Sequence, residues 1–149
     1  MTTVILIGIP ASGKSTFCKG RFFNTHVRIS LDMLKTRHRE KLLFQACIAA
    51  KQSFVIDNTN ASTVERKRFI QPAREAGFKV IGYYFSSRIQ DALERNHQRE
   101  GSAKIPDKGV LGVAGRLELP TKAEGFAELW YVRMDGSGGF IIEEWNDAL

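Results

Sequence analysis

Residues 8–16 read Gly-Ile-Pro-Ala-Ser-Gly-Lys-Ser-Thr and match the phosphate-binding pattern G-x-x-x-x-G-K-[ST] in full. Glycines let the backbone wrap so that successive N–H groups point at an anion, and a helix beginning there adds partial positive charge. We expect Lys14 to reach the β- and γ-phosphates and the Ser15 hydroxyl to bind Mg²⁺. The pattern predicts a nucleoside triphosphate, ATP or GTP, bound by Pro10, Ala11, Ser12, Gly13, Lys14, Ser15 and Thr16.

Two carboxylates follow later apolar segments. Asp32 lies 18 positions after Lys14 and could accept the proton of an attacking hydroxyl, or it could cap the helix beginning beside it. Asp57 closes an apolar segment and could contact the Mg²⁺ shell, or it could be a turn residue. A base and a metal-binding carboxylate beside a triphosphate predict phosphoryl transfer.

Further polar side chains accompany these carboxylates. Lys35 could hold an acceptor phosphate or be a solvated lysine, and Asn58 and Asn60 add short polar groups on the acceptor side. Arg95 and Arg99, four residues apart on a predicted helix, precede a polar segment at 101–108 that we expect to be mobile. We interpret residues 95–108 as a lid whose arginines bind the triphosphate, with an exposed basic face as the alternative.

Alternating strands and helices must position these residues. The apolar patterning predicts strands at 4–8, 27–30, 54–57 and 79–85, with strand-like pieces at 129–134 and 140–143. It predicts helices at 13–22, 32–51, 62–77 (opened by Ser62 and Glu65), 87–100 (opened by Ser87 and Gln90), and from about 106. This alternation indicates an α/β fold with a central parallel sheet of four to five strands between two helical layers, and a helical lid. Ligands of such sheets bind at the carboxyl ends of the strands, where the candidate residues converge.

Composition bounds the remaining possibilities. The 149 residues suit one domain, 1–149, and 43% hydrophobic with 26% charged residues excludes a disordered or fibrous chain. No segment has the length of a signal peptide or membrane span, and two cysteines, Cys18 and Cys47, are too few for a disulfide scaffold. We therefore expect a cytoplasmic protein with no membrane partner and two buried cysteines. A net charge of +6 is compatible with phosphate-bearing partners.

Taken together, the motifs resemble the kinase domain of the 5′-polynucleotide kinases, the DNA and RNA end-healing enzymes. The resemblance covers about residues 4–130 and includes the loop at 8–17, Ile-Asp-Asn-Thr-Asn at 56–60, Arg95 and Arg99 with Asn96 between them, and Glu-Leu-Pro-Thr-Lys-Ala-Glu-Gly-Phe at 118–126. The two last features look most like the kinase part of the animal enzymes that are fused to a phosphatase.

The resemblance implies a P-loop kinase fold and transfer of the γ-phosphate to the 5′-hydroxyl of single-stranded or end-frayed DNA or RNA. It implies that Lys14 and Ser15 bind ATP and Mg²⁺, that Asp32 is the general base, and that Arg99 is the lid arginine. The chain departs from the family at Leu31 and Lys35, each in place of an arginine, and at 113–115, where a tyrosine and a basic pair are replaced. No length remains for a phosphatase or ligase module, so we expect half of an end-healing pathway.

Two other functions are compatible with these residues. A kinase of a small molecule or nucleoside needs only the loop, a base and a lid. A nucleotide-binding module without turnover needs only the loop.

Overall fold

The computed structural model describes residues 1–86, 89–101 and 104–146. Its elements follow in chain order: β1 Thr2–Ile7, α1 Lys14–Phe22, β2 Val27–Ile29, α2 Leu31–Leu34, α3 Arg37–Ala50, β3 Phe54–Ile56, α4 Thr63–Glu75, β4 Lys79–Phe85, α5 Ile89–His97, α6 Asp107–Arg116, a 3₁₀ turn Lys122–Glu124, β5 Glu128–Met134 and β6 Phe140–Glu144. The alternation of strands and helices predicted from the sequence is confirmed.

The strands form one sheet in the order β2-β3-β1-β4-β5-β6. Neighbours from β2 to β5 are parallel, and in this register Ile5 of β1 lies beside Ile56 of β3 and Gly82 of β4. The five parallel strands agree with the predicted four to five, and β6, which pairs antiparallel with β5, adds a sixth strand within the described residues. The reason is a tight turn, where the Asp135 carboxylate accepts from the N–H groups of Ser137 (2.8 Å) and Gly139 (3.0 Å) and returns the chain alongside β5.

The core lies on both faces of this sheet. Successive β1 side chains alternate, so that Ile5 and Ile7 pack with the aromatic rings of α3 and α4, while Val4 and Leu6 pack with Phe17 of α1. Burial on both faces explains why Val4–Ile7 of this strand is continuously apolar rather than alternating. The three-layer arrangement predicted from the sequence is confirmed.

The two cysteines are buried in different layers. Cys18 belongs to the core on the α1 side and Cys47 to the core on the α3 side, and both are free thiols. Burial raises the pKa of Cys18 to about 11 and raises that of Cys47. The expectation of two buried apolar side chains is confirmed. In the described part of the chain, we find no helix with the length and apolar character needed to cross a membrane.

The predicted helix at 32–51 is wrong in one respect, because it is two helices. α2 ends after a single turn at Lys35, which adopts φ +73°, and Thr36 then opens α3 by accepting a hydrogen bond from the Arg39 N–H at 3.2 Å. A threonine cap favours a new helix start, and the positive φ at Lys35 interrupts the helical backbone between α2 and α3. The proposed cap at Ser87 lies outside the described residues.

Candidate nucleotide and acceptor site

The phosphate-binding loop connects β1 to α1. Ala11 (φ +63°) and Gly13 (φ +98°) adopt left-handed conformations that close the loop. The φ of +98° at Gly13 is a conformation that residues with a Cβ atom rarely adopt, so this position favours glycine. No side chain caps α1, and its first turn has no acidic residue. The positive end of α1 is therefore left to an anion, as the sequence predicts.

The amine of Lys14 is held inside this loop. Its Nζ donates hydrogen bonds to the carbonyls of Gly8 (2.9 Å) and Ile9 (2.8 Å), and the side chain is buried. Burial lowers the pKa of Lys14 to about 8, and the charge of Asp57 opposes that shift. The lysine is thus a partly desolvated cation beside the turn where phosphates would lie.

Ser15 and Asp57, the two predicted Mg²⁺-binding residues, are in contact. The Ser15 hydroxyl donates to Asp57 Oδ2 at 3.0 Å. Hydroxyl and carboxylate oxygens are ligands that Mg²⁺ prefers, and at nucleotide sites the ion takes few protein ligands besides phosphates and waters. In the described residues no cluster of three or more His, Cys, Asp or Glu could hold a metal on its own. The pair therefore fits Mg²⁺ carried with a nucleotide.

Arg28 is a third member of this contact that sequence reasoning missed. Its Nε donates to Asp57 Oδ2 at 2.8 Å, and its Nη2 lies 3.4 Å from the Ser15 Oγ. The sequence does place this charged residue in the middle of an otherwise apolar strand, β2, a pattern that could have marked it as a functional residue. The guanidinium engages both oxygens that would bind the metal.

The acceptor-side residues differ in how they are placed. Asp32, on α2, and Lys35 line the same cavity as the loop. Asn58 accepts a hydrogen bond from the Leu31 N–H at 2.8 Å. Asn60 is 2% exposed and donates from Nδ2 to the Leu6 carbonyl at 2.7 Å, so its amide is committed to the backbone of β1.

The two lid arginines are placed differently with respect to α5. Arg95 donates from Nε to the Ala11 carbonyl of the loop at 2.5 Å, and burial lowers its pKa. α5 ends at His97, so the prediction that Arg99 lies on the same helix is wrong, although Arg99 does line the cavity. The Asn96 side chain, fully buried, exchanges two hydrogen bonds with the backbone of Ile105. This bridge ties the last turn of α5 to the segment that leads into α6.

The interpretation of 101–108 as a loop also needs correction. Residues 107 and 108 belong to α6, which packs on α5 through an apolar cluster that includes Val110, Ala92 and Ala11 of the loop. Asp107 begins that helix because Pro106 precedes it as cap. Residues 102 and 103 lie outside the described residues.

One cavity of about 590 Å³ unites most of the predicted residues. Its lining includes residues predicted to bind the phosphate donor and residues predicted to bind or deprotonate the acceptor: Pro10, Ala11, Lys14, Ser15, Asp32, Lys35, Asp57, Asn58, Asn60 and Arg99. Arg28, Arg37 and Arg116 add positive charge that the sequence did not single out. Thr16 is exposed on the first turn of α1, Ser12 is buried, and Gly13 is fixed by its conformation. The cavity can hold an anionic donor against the loop with a carboxylate across from it.

Comparison with known proteins agrees with this geometry. Residues 4–120 match the family model described as an AAA domain. A bifunctional polynucleotide phosphatase/kinase of Schizosaccharomyces pombe is 28% identical over 130 residues, covering 85% of this chain and 32% of that protein. An L-seryl-tRNA(Sec) kinase of Methanococcus maripaludis is 24% identical over 136 residues, covering 78% of this chain and 52% of that protein.

The fold is also found among solved structures. Kti12 of Chaetomium thermophilum, crystallised in complex with ADP-AlF₃, superposes with a TM-score of 0.64 at 18% identity, and the superposition covers 89% of each chain.

The chain spans only part of the length of its relatives by sequence, about a third of the fission yeast protein and about half of the archaeal one.

Proposed function

Because the chain belongs to the AAA-domain family and has the fold of a P-loop kinase, we propose that it transfers the γ-phosphate of ATP or GTP to the 5′-hydroxyl of DNA or RNA. The observation that carries this proposal is that Lys14 and Ser15 of the loop and Asp32 of α2 line the same cavity. The proposal places a phosphate donor and a general base on two sides of one space.

In this mechanism Asp32 accepts the proton of the attacking hydroxyl. The O5′–Pγ bond forms as the bond between Pγ and the β-phosphate oxygen breaks, and the nucleoside diphosphate leaves with that electron pair. Lys14 and Arg99 bind the donor phosphates and offset the charge that spreads over their oxygens. Ser15 and Asp57 would hold Mg²⁺, which supplies further charge neutralisation when bound.

A nucleic-acid acceptor is supported by charge and by one relative. Arg37 and the exposed Lys35 bring positive charge to the Asp32 side of the cavity, where phosphates that follow a 5′ end would lie. The chain as a whole carries a net charge of +6. The fission yeast relative is named a polynucleotide phosphatase/kinase, and its kinase activity is the one that this fold could provide.

A second candidate keeps the same chemistry with another acceptor. The archaeal relative is named for a seryl group on tRNA, so the acceptor in that name is a hydroxyl other than a 5′ end. A small-molecule or nucleoside acceptor would need Asp32 and the loop but not the basic side chains beside Lys35.

The experiment is a transfer assay with γ-labelled ATP and GTP in parallel. Acceptors are 5′-hydroxyl DNA and RNA oligonucleotides, the same strands already 5′-phosphorylated, and free nucleosides. We expect label on the 5′-hydroxyl strands alone, and oligonucleotide affinity that falls as salt rises because phosphate contacts release counterions. Label that appears only on a nucleoside would contradict the polynucleotide assignment.

The base is tested by Asp32→Asn. We expect kcat to fall by about 10²–10⁴-fold while nucleotide Kd stays within about twofold, since the base acts only on the acceptor proton. Glu75→Gln, an exposed carboxylate at the end of α4 and outside the cavity, is the control and should keep wild-type turnover. Equal turnover in the two variants would remove Asp32 from the reaction, and loss of label transfer from all acceptors in the wild type would favour a binding module.

A further inference from the structure

A chain of hydrogen bonds connects β3 to α2 and α3. Asn58, the second residue after β3, accepts from the Leu31 N–H at 2.8 Å and donates from Nδ2 to Glu40 Oε2 at 2.9 Å. The other carboxylate oxygen of Glu40 accepts from Arg37 Nη1, also at 2.9 Å. Glu40 is only 2% exposed. A carboxylate is rarely buried this deeply unless hydrogen bonds or ion pairs compensate for the lost water.

α2 lacks the usual means of holding itself in place. It is a single turn of four residues, and an isolated helix of that length is far too short to be stable in water. Ser30 occupies its cap position without a side-chain cap bond, and among the described residues the Ser30 hydroxyl has no hydrogen-bond partner. The Asn58 side chain therefore supplies from another segment the acceptor that a capping residue would normally provide.

These hydrogen bonds connect the backbone segments that carry Asp57 and Asp32, the two carboxylates of the site. Asp57 precedes Asn58, and Asp32 follows Leu31, so the Asn58 amide ties together the backbone that carries both. Because Lys35 ends α2 in a left-handed conformation, α2 does not continue into α3 and is not held by it as part of one helix. The end of α2 accepts a hydrogen bond at the Leu34 carbonyl from Arg39 Nη1 of α3 (3.1 Å), while its start, which carries Asp32, is held by Asn58 and, through it, by Glu40.

We infer that Asn58 and Glu40 are positioning residues, which hold Asp32 at the distance from the loop that phosphoryl transfer requires. Neither touches the reacting atoms in this role, which departs from the expectation that Asn58 binds the acceptor. The inference rests on the proposed function in one respect, the use of Asp32 as the base. It assigns Glu40, which no sequence motif singled out, to the reaction.

The chemistry of the pair permits a reciprocal exchange as a test. Asn58→Asp alone places a second carboxylate against buried Glu40, and like charges in contact repel. Glu40→Gln alone leaves one oxygen to accept from two donors, Arg37 and Asn58, so one donor loses its acceptor. The double variant restores the series of hydrogen bonds, because the new amide at position 40 can donate to the new carboxylate at position 58. The other oxygen of that carboxylate can still accept from the Leu31 N–H.

Three quantities are measured for each variant: kcat with acceptor KM, nucleotide Kd, and amide hydrogen exchange of segment 30–36. We expect each single variant to lower kcat about tenfold or more and to speed exchange at Leu31 by a similar factor, with nucleotide Kd within about twofold. The double variant should recover to within about threefold of wild type in both. Glu75→Gln, an exposed carboxylate at the end of α4, is the control and should change neither.

A purely structural role for the pair predicts a different pattern. Losses that add in the double variant, or exchange at 30–36 that stays at the wild-type rate while kcat falls, would overturn the inference. The exchange measurement uses no acceptor. A wild-type protein that fails to label oligonucleotides would therefore contradict the proposed function, while reciprocal recovery of exchange would still support the positioning of α2 by Asn58 and Glu40.

Discussion

Raising the pH should weaken nucleotide binding through one residue. Burial lowers the pKa of Lys14 to about 8, far below the ordinary lysine value of 10.5. Bound β- and γ-phosphates would place negative charge beside the amine and raise its pKa again. Binding is therefore coupled to uptake of a proton whenever Lys14 is neutral in the free protein.

The size of the effect follows from that pKa. With a pKa of about 8, Lys14 is about nine-tenths protonated at pH 7 and about one-tenth protonated at pH 9. If only the cation binds phosphate well, affinity falls about tenfold over this range, or ~1.4 kcal/mol. The thiols do not interfere, because the pKa of Cys18 is raised to about 11 and that of Cys47 is also raised.

The same shift has the opposite sign for stability. Below pH 8 the folded and unfolded chains both carry the Lys14 proton, and burying the cation costs up to about 3 kcal/mol. Between pH 8 and 10.5 the unfolded chain binds more protons than the folded one, so this group's contribution to the free energy of unfolding rises with pH. Weaker nucleotide binding at pH 9 would then not be a consequence of unfolding.

Calorimetric titration with ADP and a non-hydrolysable ATP analogue at pH 7, 8 and 9 measures this coupling, with urea unfolding at each pH. Lys14→Arg is the matched control, since a guanidinium keeps its charge throughout this range. We expect a lower but pH-independent affinity for the variant. A wild-type Kd that changes less than twofold between pH 7 and 9, or a parallel slope in Lys14→Arg, would refute the reasoning.

Other substitutions test the framework and the site. Arg66→Met removes a fully buried guanidinium that pairs with the Glu124 carboxylate at 2.8 Å, and should lower the free energy of unfolding in urea by about 3–5 kcal/mol. Arg133→Met, which breaks an exposed pair with Glu143, should lower it by less than about 1 kcal/mol. Lys35→Gly should gain about 1 kcal/mol of stability by relieving φ +73°, whereas Lys35→Ala, which keeps the strain, should not; equal denaturation midpoints would contradict this. Arg28→Met should tighten Mn²⁺ binding several-fold in a magnetic resonance titration, because a cation 2.8 Å from Asp57 Oδ2 competes with the metal; unchanged or weaker binding would contradict this.

The nucleotide half of the site could be predicted because its information is local. β1 ends in a continuous apolar run, 4–7, and the loop that follows has its glycines, lysine and hydroxyl within nine residues. Both features follow from short-range chemistry: burial on two faces and backbone N–H groups around an anion.

The acceptor half could not be predicted to the same degree. The sequence indicates one helix from Asp32 onward, since an apolar stripe runs through it, but Lys35 interrupts it with a backbone conformation that lysine rarely adopts. The contacts of Asn58 with Leu31 and Glu40 join segments 27 and 18 positions apart, and no local pattern marks them. Buried polar pairs of this kind depend on how the strands and helices are placed against one another, and the hydrophobic pattern of the sequence does not determine that placement.

This difference suggests where acceptor choice is determined in such a fold. Most of the donor side is built from consecutive residues of one strand, loop and helix, joined by Asp57 and Arg99 from later in the sequence. The proposed base, Asp32, lies on a single turn, α2, whose first N–H group donates to the Asn58 side chain, which in turn donates to Glu40 of α3. A change at Asn58 or Glu40 would move Asp32 without altering the loop.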